Sequence, residues 1–145
     1  MATVTAPLFH LAIPVKDLDK ARHFYTEVLG ASEGRSHDRW IDFNFFGHQL
    51  VVHLDDSHSP QTQSVTNLVD GDLVPVPHFG VIVNRVDWQS LVKRISEHDW
   101  PLELEPHIKF KGAPGEQWTM FLNDPSGNTL EFKFFENPKQ LFATE

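Results

Sequence analysis

Four side chains able to bind a metal stand at internally matched places in this sequence. His10 in PLFHLAIPV and His78 in VPHFGVIV lie 68 residues apart, and each is followed two positions later by a small residue, Ala12 or Gly80. His53 in QLVVHLD and Glu131 in NTLEFKFF lie 78 apart, in segments that align through Trp40 and Trp118. Two neutral imidazoles and a carboxylate with open coordination positions suit Fe(II), with Mn, Co, Ni and Zn as close competitors. Each residue also has a plainer reading. His10 is otherwise a satisfied core or rim histidine, and His53 the end of a strand beside Asp55. Glu131 is otherwise the partner of Lys133 or Lys111, because an unpaired carboxylate is rarely buried. A shared cause at matched positions, a metal site, is the better expectation than four coincidences.

The elements that would carry these residues repeat. In each copy an apolar strand bears the histidine and leads into a helix, Leu18-Ala21-Phe24-Val28 in the first and Trp88-Leu91-Val92-Ile95 in the second. The first helix is expected to stop at Gly30 and the second to start from Asp87 as its N-cap. Strand-like sequence follows, with hairpin connections at Phe46-Gly47-His48 and at Asp124-Pro125-Ser126-Gly127-Asn128. Alternation puts His53 with Val51 and Glu131 with Thr129 and Lys133, each away from the greasier face of its strand. One domain over 1–145 is expected, with module 1 at about 6–56, a polar connecting loop at 57–75 and module 2 at about 76–136. The second module is about ten residues longer, with the excess around EPHIKFKGAPGE.

Composition narrows the partners. A net charge of −8 with scattered Lys and Arg argues against nucleic acid and against anionic membrane surfaces. There is no cysteine, which removes disulfides, thiolate ligands and cysteine nucleophiles together. MATVTAPLFH has no basic stretch followed by an apolar core, and no apolar run reaches the about 18 residues of a membrane span. A soluble, cytoplasmic protein is the expectation.

The stretches FHLAIPVKDLDKARHFYTEVLG, PHFGVIV and FLNDPSGNTLEF, covering Leu8 to Phe135, resemble the vicinal oxygen chelate superfamily. That superfamily includes glyoxalase I, fosfomycin and bleomycin resistance proteins, and extradiol dioxygenases. VDGDLVPVPHFGVIV and FKGAPGEQWTMFLNDPSGNTLEFKFF look most like its small members described as predicted extradiol-type dioxygenases. The resemblance implies an α+β fold of two βαβββ modules whose curved mixed sheets form a cup around a metal, and a homodimer. It places His10, His78 and Glu131 where extradiol enzymes carry their iron-binding His, His and Glu. It places His53 where glyoxalase I has a further ligand, normally Glu, and where extradiol enzymes have none. His53 is then a fourth ligand or an acid/base, and His48 a second candidate base, since histidine ordinarily titrates nearest neutrality. The activity implied is ring cleavage of a small catechol-like substrate by Fe(II) and O2. A glyoxalase-type lyase or isomerase acting on a carbonyl compound is the first alternative. A non-catalytic, resistance-type protein that binds a small aromatic molecule is the second.

Overall fold

The computed structural model describes residues 6–57 and 65–145, which fall into two compact units, Met1–His58 and Ser59–Glu145. Each unit is built on one four-stranded mixed sheet, as the α+β expectation required.

In the first unit β1 (His10–Val15) runs into α1 (Leu18–His23), then β2 (Ser32–His37), β3 (Trp40–Phe45) and β4 (His48–Leu54) follow. The sheet order is β1-β4-β3-β2, with β1 parallel to β4 and the other pairs antiparallel. Asp17 caps α1, its carboxylate accepting from the Lys20 N–H at 2.9 Å. The helix does not run on unchanged to Gly30. Phe24–Val28 widens into a π-turn, closed by the Leu29 N–H donating to the Phe24 carbonyl at 3.0 Å. The wider turn buries Phe24, Tyr25 and Val28 completely, and Gly30 then reverses the chain at φ 84°. Tyr25 lies on Phe43 and Phe45 of β3, with ring centroids 5.3 and 6.2 Å apart. Ile13, Val15, Ile41, Leu50 and Val52 complete this core.

The second unit opens with a hairpin, β5 (Val65–Val69) and β6 (Asp72–Val76). This corrects the connecting loop expected at 57–75: residues 58–64 lie outside the described residues, but 65–69 and 72–75 are paired strand on either side of a turn. The reason is Asp70-Gly71, whose φ values of 43° and 87° are those of a two-residue type I′ turn. Next come β7 (Ile82–Val83), α2 (Arg85–Glu97), β8 (Leu102–Lys109), β9 (Gln117–Asn123) and β10 (Thr129–Phe134). The order is β7-β10-β9-β8, with β7 parallel to β10, so this sheet repeats the plan of the first. The cap of α2 is Asn84, accepting from the Asp87 N–H at 2.8 Å, and Asp87 is the third helical residue rather than the cap expected. Trp88, Leu91 and Ile95 bury the inner face of α2. Asp124 organises the second hairpin turn by accepting from the Ser126 and Asn128 N–H groups at 2.8 and 2.9 Å. Among the described residues no helix is long and apolar enough to cross a membrane.

Pairing within each sheet revises one internal match. Ala12 pairs with Val51, and Pro14 with His53. In the second unit Phe79 pairs with Leu130 and Ile82 with Lys133, so Gly80 faces Glu131. The residue that occupies Glu131's place in the first unit is therefore Val51, and His53 corresponds to Lys133. Gly80 has its own role. A methyl group there would overlap the Glu131 carbonyl oxygen, so glycine is needed for the two backbones to meet. We expect Gly80→Ala to cost about 3 kcal/mol, because backbone atoms cannot give way as a side chain would. An urea melt with an unchanged midpoint would contradict this.

Candidate functional site

β10 is an interior strand, and Glu131 sits at its middle with a side chain only 5% exposed. Four groups surround this carboxylate. His78 Nε2 lies 3.1 Å from Oε1, and Thr119 Oγ1 donates to Oε2 at 2.5 Å. Lys109 Nζ stands 3.6 Å from Oε2, and Lys133 Nζ 3.9 Å from Oε1. Burial alone would raise the Glu131 pKa. The His78 bond outweighs it with help from Thr119, Lys133 and Lys109, and holds the carboxyl below its ordinary value.

His78 lies just before the Phe79–Leu130 bridge, its ring edge-on to Phe121 at 5.2 Å. Its Nδ1 is 2.6 Å from the Pro75 carbonyl, which can only accept. Nδ1 is therefore the donor nitrogen, and Nε2 is aimed at the carboxylate. The bond to Glu131 raises the His78 pKa, against the opposing effect of burial and with the Pro75 carbonyl assisting.

These two side chains fit a divalent ion. Neighbouring positions of an octahedron with bonds of about 2.1 Å are about 3.0 Å apart, close to the 3.1 Å between Nε2 and Oε1. The outer nitrogen of His78 is fixed on a backbone carbonyl and the outer oxygen of Glu131 on a hydroxyl. Such partners set the tautomer and orientation of metal ligands. Within neither unit, among the described residues, do three His, Asp or Glu side chains gather as a complete ligand set.

In the first unit His10 begins β1 on the face it shares with Ala12 and Pro14. Its Nδ1 lies 2.8 Å from the Gln49 side-chain oxygen, so this histidine too has its outer nitrogen engaged and Nε2 left for a ligand. His10, Gln49, Asp42, Asn44 and Phe9 line a recess of about 420 Å³. His53 is on the same face and exposed, but it pairs with Pro14 while His10 pairs with Gln49. Four residues of strand separate the two histidines, about 13 Å, so they cannot hold one ion together. His48 accepts a hydrogen bond from the Phe9 N–H on Nδ1 at 2.9 Å and thereby secures the start of β1 against β4.

In the sequence Lys109 reads equally as a cation toward an anionic substrate or as a solvated loop residue; in the structure it ends β8 with its side chain 4% exposed, between Glu131 and Asp72. Asp72 also binds His107 Nε2 at 2.5 Å. Burial lowers the His107 pKa, but the Glu105 carbonyl and Asp72 together raise it further. The overlooked signal was the Asp70-Gly71-Asp72 turn, which brings an aspartate to β8.

A pH dependence of stability follows for the metal-free protein. The contributions tied to His78 and His107 are fully present below the ordinary histidine value and are lost as pH rises through the raised folded-state values. The contribution tied to Glu131 is present above the ordinary carboxylate value and is lost as pH falls through its lowered one. Calorimetry across buffers should show maximal Tm between these limits. His107→Gln should flatten the alkaline fall and leave the acid limb in place; an unchanged alkaline limb would refute the assignment.

The sequence matches the model of the glyoxalase/bleomycin resistance protein/dioxygenase superfamily over residues 8–132. A crystal structure of a glyoxalase/bleomycin resistance protein/dioxygenase from Alicyclobacillus acidocaldarius is similar at 33% identity and TM-score 0.78, over 94% of this chain and 96% of that one. The fold is shared with a fosfomycin resistance protein from Listeria monocytogenes, at 16% identity and TM-score 0.67 over 96% and 100% of the two chains. It is also shared with a lactoylglutathione lyase from Agrobacterium tumefaciens, at 17% identity and TM-score 0.61 over 97% and 99%. Members of the superfamily commonly bind divalent metals and small-molecule substrates. On a family match that spans most of its length, this chain belongs to the glyoxalase/bleomycin resistance protein/dioxygenase superfamily.

Proposed function

We propose that the chain is a metal-dependent enzyme of the extradiol type, cleaving the ring of a small catechol-like substrate with O2. In this reading His78 and Glu131 hold Fe(II), with His10 as the third protein ligand. The observation that carries it is the pairing of Ala12 with Val51. The place that holds a carboxylate in the second unit holds an apolar side chain in the first, which leaves His10, His78 and Glu131 as the candidate ligands among the described residues. A glyoxalase-type isomerase would call for a fourth. Held by these residues, Fe(II) would supply a centre able to take a two-oxygen substrate and O2 together.

The roles of the chain's own residues follow from their contacts. His78 and His10 present Nε2 because Pro75 and Gln49 occupy Nδ1. Glu131 presents Oε1 because Thr119 holds Oε2. Phe121, edge-on to His78, packs an apolar ring against one side of the imidazole. His53 is left outside the ligand set. A homodimer in the cytoplasm belongs to the same proposal, and sedimentation at micromolar concentration tests the dimer.

Metal analysis of anaerobically purified protein, followed by O2 uptake with a panel of catechols, is the direct test. We expect iron and catechol-dependent uptake. Glu131→Ala should lower metal affinity by more than the ~10–100-fold typical of losing an outer partner. His53→Ala should keep both metal and turnover. Bound metal with no uptake on any catechol would reject ring cleavage in favour of an isomerase or a binding protein.

A further inference from the structure

Lysine is almost never fully buried unless it is paired, and Lys109 is 4% exposed. Its ammonium has three neighbours: Glu131 Oε2 at 3.6 Å, Asp72 Oδ2 at 4.0 Å, and the face of Phe121 at 5.0 Å. Thr119 donates to the same Oε2 of Glu131 at 2.5 Å. One oxygen of this carboxylate is thus held from two sides while the other faces His78 and the partly exposed Lys133. A carboxylate with both oxygens free can bind an ion through one or through both. Here the second oxygen is already engaged.

Asp72 comes from the hairpin of β5 and β6, which is tied to β8 at two further points. Asp70 accepts from the Phe110 N–H at 2.6 Å, and Asp72 binds His107. Lys109 is therefore the one cation among the described residues within 4.0 Å of both the hairpin's Asp72 and Glu131.

We propose that Lys109 is a positioning residue. With Thr119 it retains Oε2 of Glu131, so that Oε1 alone is presented beside His78, and Asp72 of the hairpin keeps Lys109 in place. This rests on the reading of Glu131 and His78 as metal ligands. Its sign separates it from a bare charge effect. An ammonium near a ligating carboxylate repels a dication, so removing its charge alone would tighten metal binding, whereas removing a positioning group weakens it.

The experiment is a titration of the full-length metal-free protein with Co(II), followed by visible absorption and by calorimetry. Wild type, Lys109→Met, Asp72→Asn and the double variant are compared, with the fold of each checked by circular dichroism. Wild type should bind Co(II). Lys109→Met should bind ~10–100-fold more weakly, with d–d bands of altered intensity as Glu131 changes its mode of ligation. Asp72→Asn should move both readouts the same way by a smaller factor. The double variant should be no weaker than Lys109→Met, since the two act through one contact. A folded Lys109→Met that binds Co(II) as tightly as wild type, or more tightly, overturns the proposal. If Lys109→Met does not fold, Asp72→Asn decides, and unchanged affinity and bands in it overturn the proposal. Failure of wild type to take up Co(II) would overturn the metal reading and this inference with it, an outcome distinct from normal wild-type binding with an indifferent Lys109.

Discussion

A carboxylate at the centre of an interior strand has lost nearly all of its water, and the second unit is organised around what replaces that water. The Coulombic gain from one partner rarely repays such desolvation. Glu131 has an imidazole, a hydroxyl and two ammonium groups, drawn from four different positions of the chain. Each of these makes a demand on the fold. Thr119 must sit on β9, His78 must enter beside β10 just ahead of β7, and Lys109 must turn inward at the end of β8. Gly80 must lack a side chain so that its backbone can meet Glu131's. Removing any one of these partners leaves a buried charge that the rest must compensate.

The two units show what the same strand plan becomes with and without that charge. In the first, Val51 stands where Glu131 stands in the second, and Ala12 stands where Gly80 does. An apolar side chain asks for no cation, and no buried lysine is found in the first unit among its described residues. On that face His10 and Gln49 bind one another at the edge, and Asp42, which pairs with Val51, is answered by Arg35 at 3.3 Å. A duplicated scaffold thus carries two unlike halves. One is built to hold a carboxylate and an imidazole together, and the other offers a single oriented histidine.

Much of this was legible from residue types. His10 and His78 are recognisable by their matched strands, Glu131 by its place in an apolar strand, and the turns at Gly47 and Gly127 by their glycines. The match of His53 to Glu131 failed for a reason intrinsic to strands. A slip of two residues leaves every side chain on the same face, so alternation cannot detect it. Trp40 pairs with His53 but Trp118 with Phe134, so the two tryptophans are not equivalent, and anchoring on them carried the slip into β4. Only the pairing of Ala12 with Val51 and of Pro14 with His53 reveals it. The inward turn of Lys109 was hidden by register shifts between β8 and β9 at Leu102/Leu104 and Leu104/His107. Such bulges break simple alternation, so the strand's sequence does not say which way its last residues point.

The hairpin of β5 and β6 shows how far the influence of one buried charge extends. Two strands joined by a tight turn are marginal by themselves, and this pair leaves Leu68 and Leu73, cross-strand partners, largely exposed on one side. Apolar burial on that side does not hold it. What ties it to β8 is polar: Asp70 on a backbone N–H, and Asp72 on His107 and Lys109. Since Lys109 is also needed by Glu131, the ammonium that balances the strand's carboxylate is the same one that secures the hairpin. The sequence Asp70-Gly71-Asp72 therefore does two things at once. Its glycine closes the turn, and its second aspartate supplies a second carboxylate, after Glu131, beside the buried Lys109.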